Sequence, residues 1–296
     1  MDAFEIEEYP QKQSDNQIIV RDHGKVFAYN ARDLMSSGYG PHLQDVCTFA
    51  QLCADIYVDE DADRDPEKRD LEKNRHPQRW TGRADAAGWE KSDWQGPTLT
   101  KGFNIKSLKY AIWLDRANKR AVVVFRGTVK AADWWSNAHW LTRFVPGVNN
   151  HYKQVAHIVE PALAYLTDTL GADFRLYTAG HSLGGGLAQL FAYSSPRRAE
   201  FVCAFHSSPV TGYFQIPKRD RERASEGLLM ARVFEHGEVL AYARLLSRFF
   251  YRVSTANPRI VEFRTNFIEG KGTVSQHSVA DFADQFQRRL VALQAP

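Results

Sequence analysis

The stretch Arg175-Leu-Tyr-Thr-Ala-Gly-His-Ser182-Leu-Gly-Gly-Gly186, continued by Leu187-Ala-Gln-Leu-Phe-Ala-Tyr193, constrains this chain more than any other. An apolar run of strand composition gives way, within a few residues, to a run rich in small and apolar residues of helical composition. A serine with a glycine two positions away on either side suits a sharp strand-to-helix turn, because small flanking residues let the two elements approach closely. Such an elbow holds its serine in strained backbone geometry and presents the Ser182 hydroxyl above the edge of a sheet. The Leu183 N–H, at the start of the following helix, then points where an oxyanion would form. Alone, a Gly-x-Ser-x-Gly match is weak: with glycine and serine each at about 7% of residues, a chain this long shows one by chance roughly one time in ten. Its setting between strand and helix gives it mechanical meaning.

The rest of the patterning supplies a frame for that turn. Residues 43–58 read as a helix with Val46, Phe49, Ala50, Cys53 and Tyr57 on one side. Lys109–Leu114 and Arg120–Phe125 read as a β-hairpin, and the unbroken apolar run of the second strand places it inside a sheet. A long helix is expected over 151–170, stopped by Gly171. Strands are expected at 174–179, 200–205 and 228–234, a helix over 187–193 after the elbow, and an amphipathic helix over 278–293. Strands alternating with helices predict one α/β domain over residues 1–296, built around a mostly parallel central sheet flanked by helices. Residues 1–40 read as an N-terminal extension, and 59–100 as a charged insertion containing Pro66 and Pro77.

Composition closes off other classes. Lys and Arg number 38 against 35 Asp and Glu, a net charge of +3 that lacks the basic excess a nucleic-acid partner needs. Cys47, Cys53 and Cys203 are too few and too scattered for a disulfide framework, and read as buried free thiols. They show no metal spacing, and no cofactor or metal is expected. The N-terminal segment MDAFEIEEYPQK has no apolar core of a secretory signal, and no run approaches the roughly 18 apolar residues of a membrane span. Residence in the cytoplasm is the expectation, with export by a route that needs no cleaved signal left open.

An elbow serine needs a second oxyanion donor, a histidine base and a carboxylate to orient it. The run Val122-Val-Val-Phe-Arg-Gly127-Thr128 is an apolar strand ending in Arg-Gly-Thr. Together with the Gly-His-Ser-Leu-Gly elbow, it resembles the class 3 lipases, the fungal-type triacylglycerol lipase family. The resemblance implies an α/β-hydrolase fold with a helical lid, and carboxylic-ester hydrolysis through an acyl-enzyme without a metal. It also implies that Thr128 supplies an oxyanion donor, a contribution of about 3–4 kcal/mol to the transition state in comparable sites. Residues 129–145, with Asp133-Trp134-Trp135-Ser136-Asn137 and Trp140, resemble the family's lid. A core helix is the plainer alternative for them. As a lid, the tryptophans would cover the site in water and open at an apolar substrate, implying transient binding to a membrane surface or lipid interface.

Chain order in this fold is Ser, acid, His, leaving His206, His236 and His277 as bases. His206 follows the elbow too closely to leave room for an acid. Family members carry the base just before a C-terminal helix, which matches His277 in Ser275-Gln-His-Ser-Val279. By the same resemblance Glu238, in Arg232-Val-Phe-Glu235-His-Gly-Glu238, takes the place of the usual Asp, with Glu235 as the alternative. Asp281 and Asp284 follow His277, out of order, and read as exposed helix positions. His181 reads as a packing or hydrogen-bonding residue. The expected substrate is a lipid ester, triacylglycerol or phospholipid, with a soluble short-chain ester or a catalytically silent binding fold as alternatives.

Overall fold

The computed structural model of the chain describes residues 4–6, 17–64, 88–97, 108–127, 151–209, 211–238, 257–268 and 277–294. The chain begins with strands β1 (Phe4–Ile6), β2 (Gln17–Asp22) and β3 (Lys25–Asn30), then helices α1 (Ala31–Ser36) and α2 (Gly40–Arg64). Next come β4 (Glu90–Lys91), β5 (Tyr110–Asp115), β6 (Arg120–Phe125), α3 (His151–Leu170) and β7 (Arg175–His181). The remainder is α4 (Leu183–Ser194), β8 (Ala199–Phe205), α5 (Lys218–Ser225), β9 (Leu229–Glu235), β10 (Arg259–Thr265) and α6 (Val279–Gln294).

Among the described residues, these strands form one sheet in the order β1-β3-β2-β10-β9-β8-β7-β6-β5-β4. Strands β6 to β10 run parallel in its centre, and antiparallel strands flank them on both sides. The alternation of side chains explains why both faces are covered. Val122 and Val124 of β6 join a core with residues of α2 and α6, such as Phe49, Leu52, Phe282 and Phe286. Ala121, Val123 and Phe125 join a second core with Val155, Ile158 and Leu166 of α3 and Leu187 and Phe191 of α4. A strand buried on both faces must be apolar at every position, as Ala121–Phe125 is. Each large apolar side chain so buried contributes about 1.5–3 kcal/mol. Helices on both faces of a parallel central block give the α/β-hydrolase fold. All three cysteines are buried thiols outside any disulfide. No helix among the described residues is long and apolar enough to cross a membrane.

The structure departs from expectation in four places. Residues 17–30, expected to form part of an extension, make a hairpin that pairs through β2 with β10. Strand β10 itself was not expected, because Glu262 and Arg264 interrupt its apolar run, yet both are buried. Residues 59–64 continue α2 rather than opening an insertion, and the far end of that segment returns to the fold with Trp89 packed edge-on against Phe49. Asp284 is buried rather than exposed, since α6 packs against α1 as well as α2.

Strand register brings the functional edge together. Phe125 lies opposite Gly180, His181 opposite Phe205, Phe205 opposite Val233, and Glu235 opposite Thr265. The residues that follow these strand ends, Gly127, Ser182, His206 and Glu238, therefore emerge on one rim, the carboxyl edge where α/β sheets bind their ligands.

Candidate active site

Ser182 occupies the turn between β7 and α4 with φ 59° and ψ −123°. This conformation costs a residue bearing a Cβ about 1–3 kcal/mol. The surrounding backbone holds it: the Ser182 N–H donates to the Phe205 carbonyl at 2.9 Å, and the Ser182 carbonyl accepts from Gly185 at 3.1 Å and Ser208 at 3.0 Å. Close approach explains the glycines. A Cβ on Gly184 would run into the Phe125 carbonyl, and one on Gly127 would lie 2.7 Å from the His181 carbonyl oxygen and 3.0 Å from the Ser182 Cβ. Ser182 and Leu183 stay partly exposed between buried neighbours. Leu183 opens α4, so its N–H is among the first-turn amides that a helix leaves unbonded internally. Thr128, and the 129–145 segment with Trp134, Trp135 and Trp140, lie outside the described residues.

His277 and Glu238 meet on the same rim. The His277 Nδ1 lies 2.8 Å from the Glu238 Oε2, and both side chains are buried. Glu238 sits three residues beyond β9, after a turn that Gly237 makes at φ 78°. His277 is fixed by α6 behind it, where Phe282 packs against Phe205, Phe267 and Phe286. Glu235 has a different task. Its carboxylate accepts the backbone N–H groups of Phe267 and Ile268 and the Thr265 hydroxyl, organising the loop after β10. Burial pushes the Glu235 carboxyl up, and those three donors pull it back. His236 lies between the two glutamates, its backbone N–H donating to the Thr265 carbonyl.

Two groups around the elbow escaped the sequence reading. The Tyr57 hydroxyl accepts the Gly127 N–H at 2.9 Å and lies 2.9 Å from the His181 Nδ1. His206, at φ 42°, packs its ring 5.6 Å from His181 and 5.5 Å from His277, centroid to centroid. Tyr57 continues the apolar spacing of Phe49 and Cys53, which hid its polar tip. His206 lies too close to the elbow in sequence for an acid to stand between them, yet the neighbouring strand carries it directly beside the elbow.

Donor atoms of His181, His206 and His277 lie within 4.8 Å of one another. Both ring nitrogens of His181 are engaged, by Tyr57 and by the His277 carbonyl at 2.8 Å, and the His277 Nδ1 is engaged by Glu238. Three of the cluster's ring nitrogens thus already serve hydrogen bonds. Burial, then the neighbouring His277 and His206, hold His181 well below the imidazole value of 6.5. The unfolded chain therefore takes up this proton first, so stability is full above pH 6.5 and falls as pH drops toward the folded value. Melting curves from pH 5 to 8 should show a decline below about pH 6.5 that flattens in His181→Gln, by up to about 1.4 kcal/mol per pH unit for one proton. Parallel curves for the two proteins would contradict a neutral His181.

A model of the phospholipase-like family described as the Tle-like phospholipase domain matches residues 48–208. No curated protein matches the sequence. Solved structures similar to this one include the propeptide complex of a Rhizomucor miehei lipase deletion mutant, at 14% identity over 83% of this chain and 77% of that one, with a TM-score of 0.49. A Yarrowia lipolytica lipase is similar at 15% identity over 55% of this chain and 63% of that one, TM-score 0.35. A Pyrococcus furiosus esterase is similar at 10% identity over 70% and 93%, TM-score 0.37. The family match spans more than half of the sequence, from within α2 to just beyond β8 and across the elbow, and the chain belongs to the Tle-like phospholipase domain family.

Proposed function

We propose that this protein is a serine hydrolase that cleaves the acyl ester bonds of phospholipids through an acyl-enzyme. The observation that carries the reading is the elbow: Ser182 at φ 59° on the rim that also holds the His277–Glu238 pair. Ser182 attacks the ester carbonyl while the His277 Nε2 takes its proton. Glu238 accepts the Nδ1–H bond, keeping the free lone pair on Nε2 and stabilising the imidazolium that forms. The Leu183 N–H and Thr128 receive the oxyanion of the tetrahedral intermediate. His277 then returns the proton to the departing lysophospholipid alcohol, and water, activated by the same imidazole, releases the fatty acid.

Membership of a phospholipase-like family favours phospholipid over triacylglycerol. In this reading Trp134, Trp135 and Trp140 belong to a lid that covers the site in water and turns its aromatic face to the lipid surface.

Mass spectrometry of products from phosphatidylethanolamine–phosphatidylglycerol vesicles and from a triolein emulsion tests the assignment. Free fatty acid and lysophospholipid are expected from the vesicles, with slower release from triolein. Release of a phosphorylated headgroup, or no fatty acid from the vesicles, would overturn it.

A further inference from the structure

We propose that Tyr57 and His181 are positioning residues, a relay that holds the strand end leading to Thr128 in register with the backbone of His277. The relay rests on the reading of Ser182, Glu238 and His277 as the reacting groups. Its direction follows from which atoms can donate. The Gly127 N–H is a donor only, so the Tyr57 oxygen accepts from it at 2.9 Å. The phenolic proton is then free to go to the His181 Nδ1, 2.9 Å away. That leaves the ring proton of His181 on Nε2, where it donates to the His277 carbonyl at 2.8 Å, an atom that can only accept. Three hydrogen bonds in one sense therefore run from the end of β6 to the peptide of His277. Of the two side chains in between, among the described residues Tyr57 hydrogen-bonds only Gly127 and His181, and His181 only Tyr57 and the backbone of His277.

The geometry gives this relay something to control. Gly127 is pressed against the elbow, with no room for a Cβ beside the Ser182 Cβ. The Tyr57 hydroxyl therefore fixes the Gly127 N–H beside the elbow. His277 is held at two points: Glu238 grips its Nδ1 and His181 grips its carbonyl. The first fixes the ring's tautomer and the second fixes the peptide from which the ring hangs. Tyr57 stands on α2, a helix buried along the opposite face of the sheet from α3 and α4, so the relay is braced by a rigid element. His181 is buried, its ring tilted against the His277 ring at 4.8 Å between centroids, and its neutral state spares the His277 imidazolium a second adjacent positive charge.

The test uses Tyr57→Phe, His181→Gln, His181→Phe and the Tyr57→Phe/His181→Gln double variant of the full chain, assayed with p-nitrophenyl butyrate. Tyr57→Phe should lower kcat by roughly ten- to a hundredfold with KM nearly unchanged, since it misplaces groups rather than weakening ground-state binding. His181→Gln keeps a side-chain N–H for the His277 carbonyl and should retain more activity than His181→Phe. The double variant should lose little more than its worse single parent, because both sever one chain. Imidazole nitrogen NMR of the wild type should place the His181 proton on Nε2, and Tyr57→Phe should shift the Nδ1 resonance, which loses its hydrogen-bond donor, while the His277 carbonyl keeps the proton on Nε2. An unchanged kcat in Tyr57→Phe, additive losses, or a proton on Nδ1 would each overturn the relay. A fluorophosphonate probe separates the two readings: wild-type protein unlabelled at Ser182 would overturn the nucleophile assignment, while the NMR result still decides whether the relay exists.

Discussion

Replacing Ser182 with alanine is expected to lower kcat for ester hydrolysis by roughly a millionfold, as loss of an acyl-enzyme nucleophile does elsewhere. The folded structure should survive, because the turn is held by the Ser182 backbone N–H and carbonyl rather than by its side chain. A second substitution sharpens the prediction. At φ 59° and ψ −123° any Cβ is strained, so Ser182→Gly should melt higher than Ser182→Ala, corresponding to about 1 kcal/mol or more. An inactive but stabilised variant is the signature of a residue whose conformation is maintained for its chemistry. Calorimetry of both variants, alongside turnover of a p-nitrophenyl ester, checks it. Retained hydrolysis in Ser182→Ala would remove the elbow from the mechanism.

Much of this architecture could be read in advance because its physics is local. Ala121–Phe125 is apolar at every position since both faces are covered, and helix α3 repeats its apolar residues at helical spacing over twenty residues. The elbow was legible for a similar reason: a β-turn-helix junction this tight needs small residues at 180 and 184, whatever lies beyond it. What escaped was decided by distant neighbours. Residues 17–22 and 25–30 flank a His23-Gly24 turn, a hairpin signal that is ambiguous until β10 arrives to pair with it. In β10, Glu262 and Arg264 mask the period because their burial depends on strands far away in sequence. Tyr57 offered only an apolar spacing, and its hydroxyl acquires meaning only where α2 passes beneath Gly127 and His181. Glu235 at the end of β9 and Glu238 just after it could not be told apart by spacing alone, since either lies within reach of a late histidine.

Those two carboxylates should respond to the same substitution in opposite ways. In Glu238→Gln the amide can donate to the His277 Nδ1 and drive the ring proton onto Nε2, the nitrogen that must accept the serine proton. A comparable exchange in a serine protease lowers kcat about 10,000-fold with the geometry intact, and a loss of that order is expected here with KM little changed. Glu235 faces three donors instead: two backbone N–H groups and the Thr265 hydroxyl. Glutamine has a single acceptor oxygen and an NH2 that repels donors, so Glu235→Gln leaves a buried group unsatisfied. That should cost about 1–3 kcal/mol of stability, while kcat per folded molecule stays within a few-fold of wild type. Denaturant titration and steady-state kinetics on the pair separate the roles. An active Glu238→Gln beside an inactive, stable Glu235→Gln would reverse the assignment, and it would do so against the 2.8 Å bond that now joins Glu238 to His277.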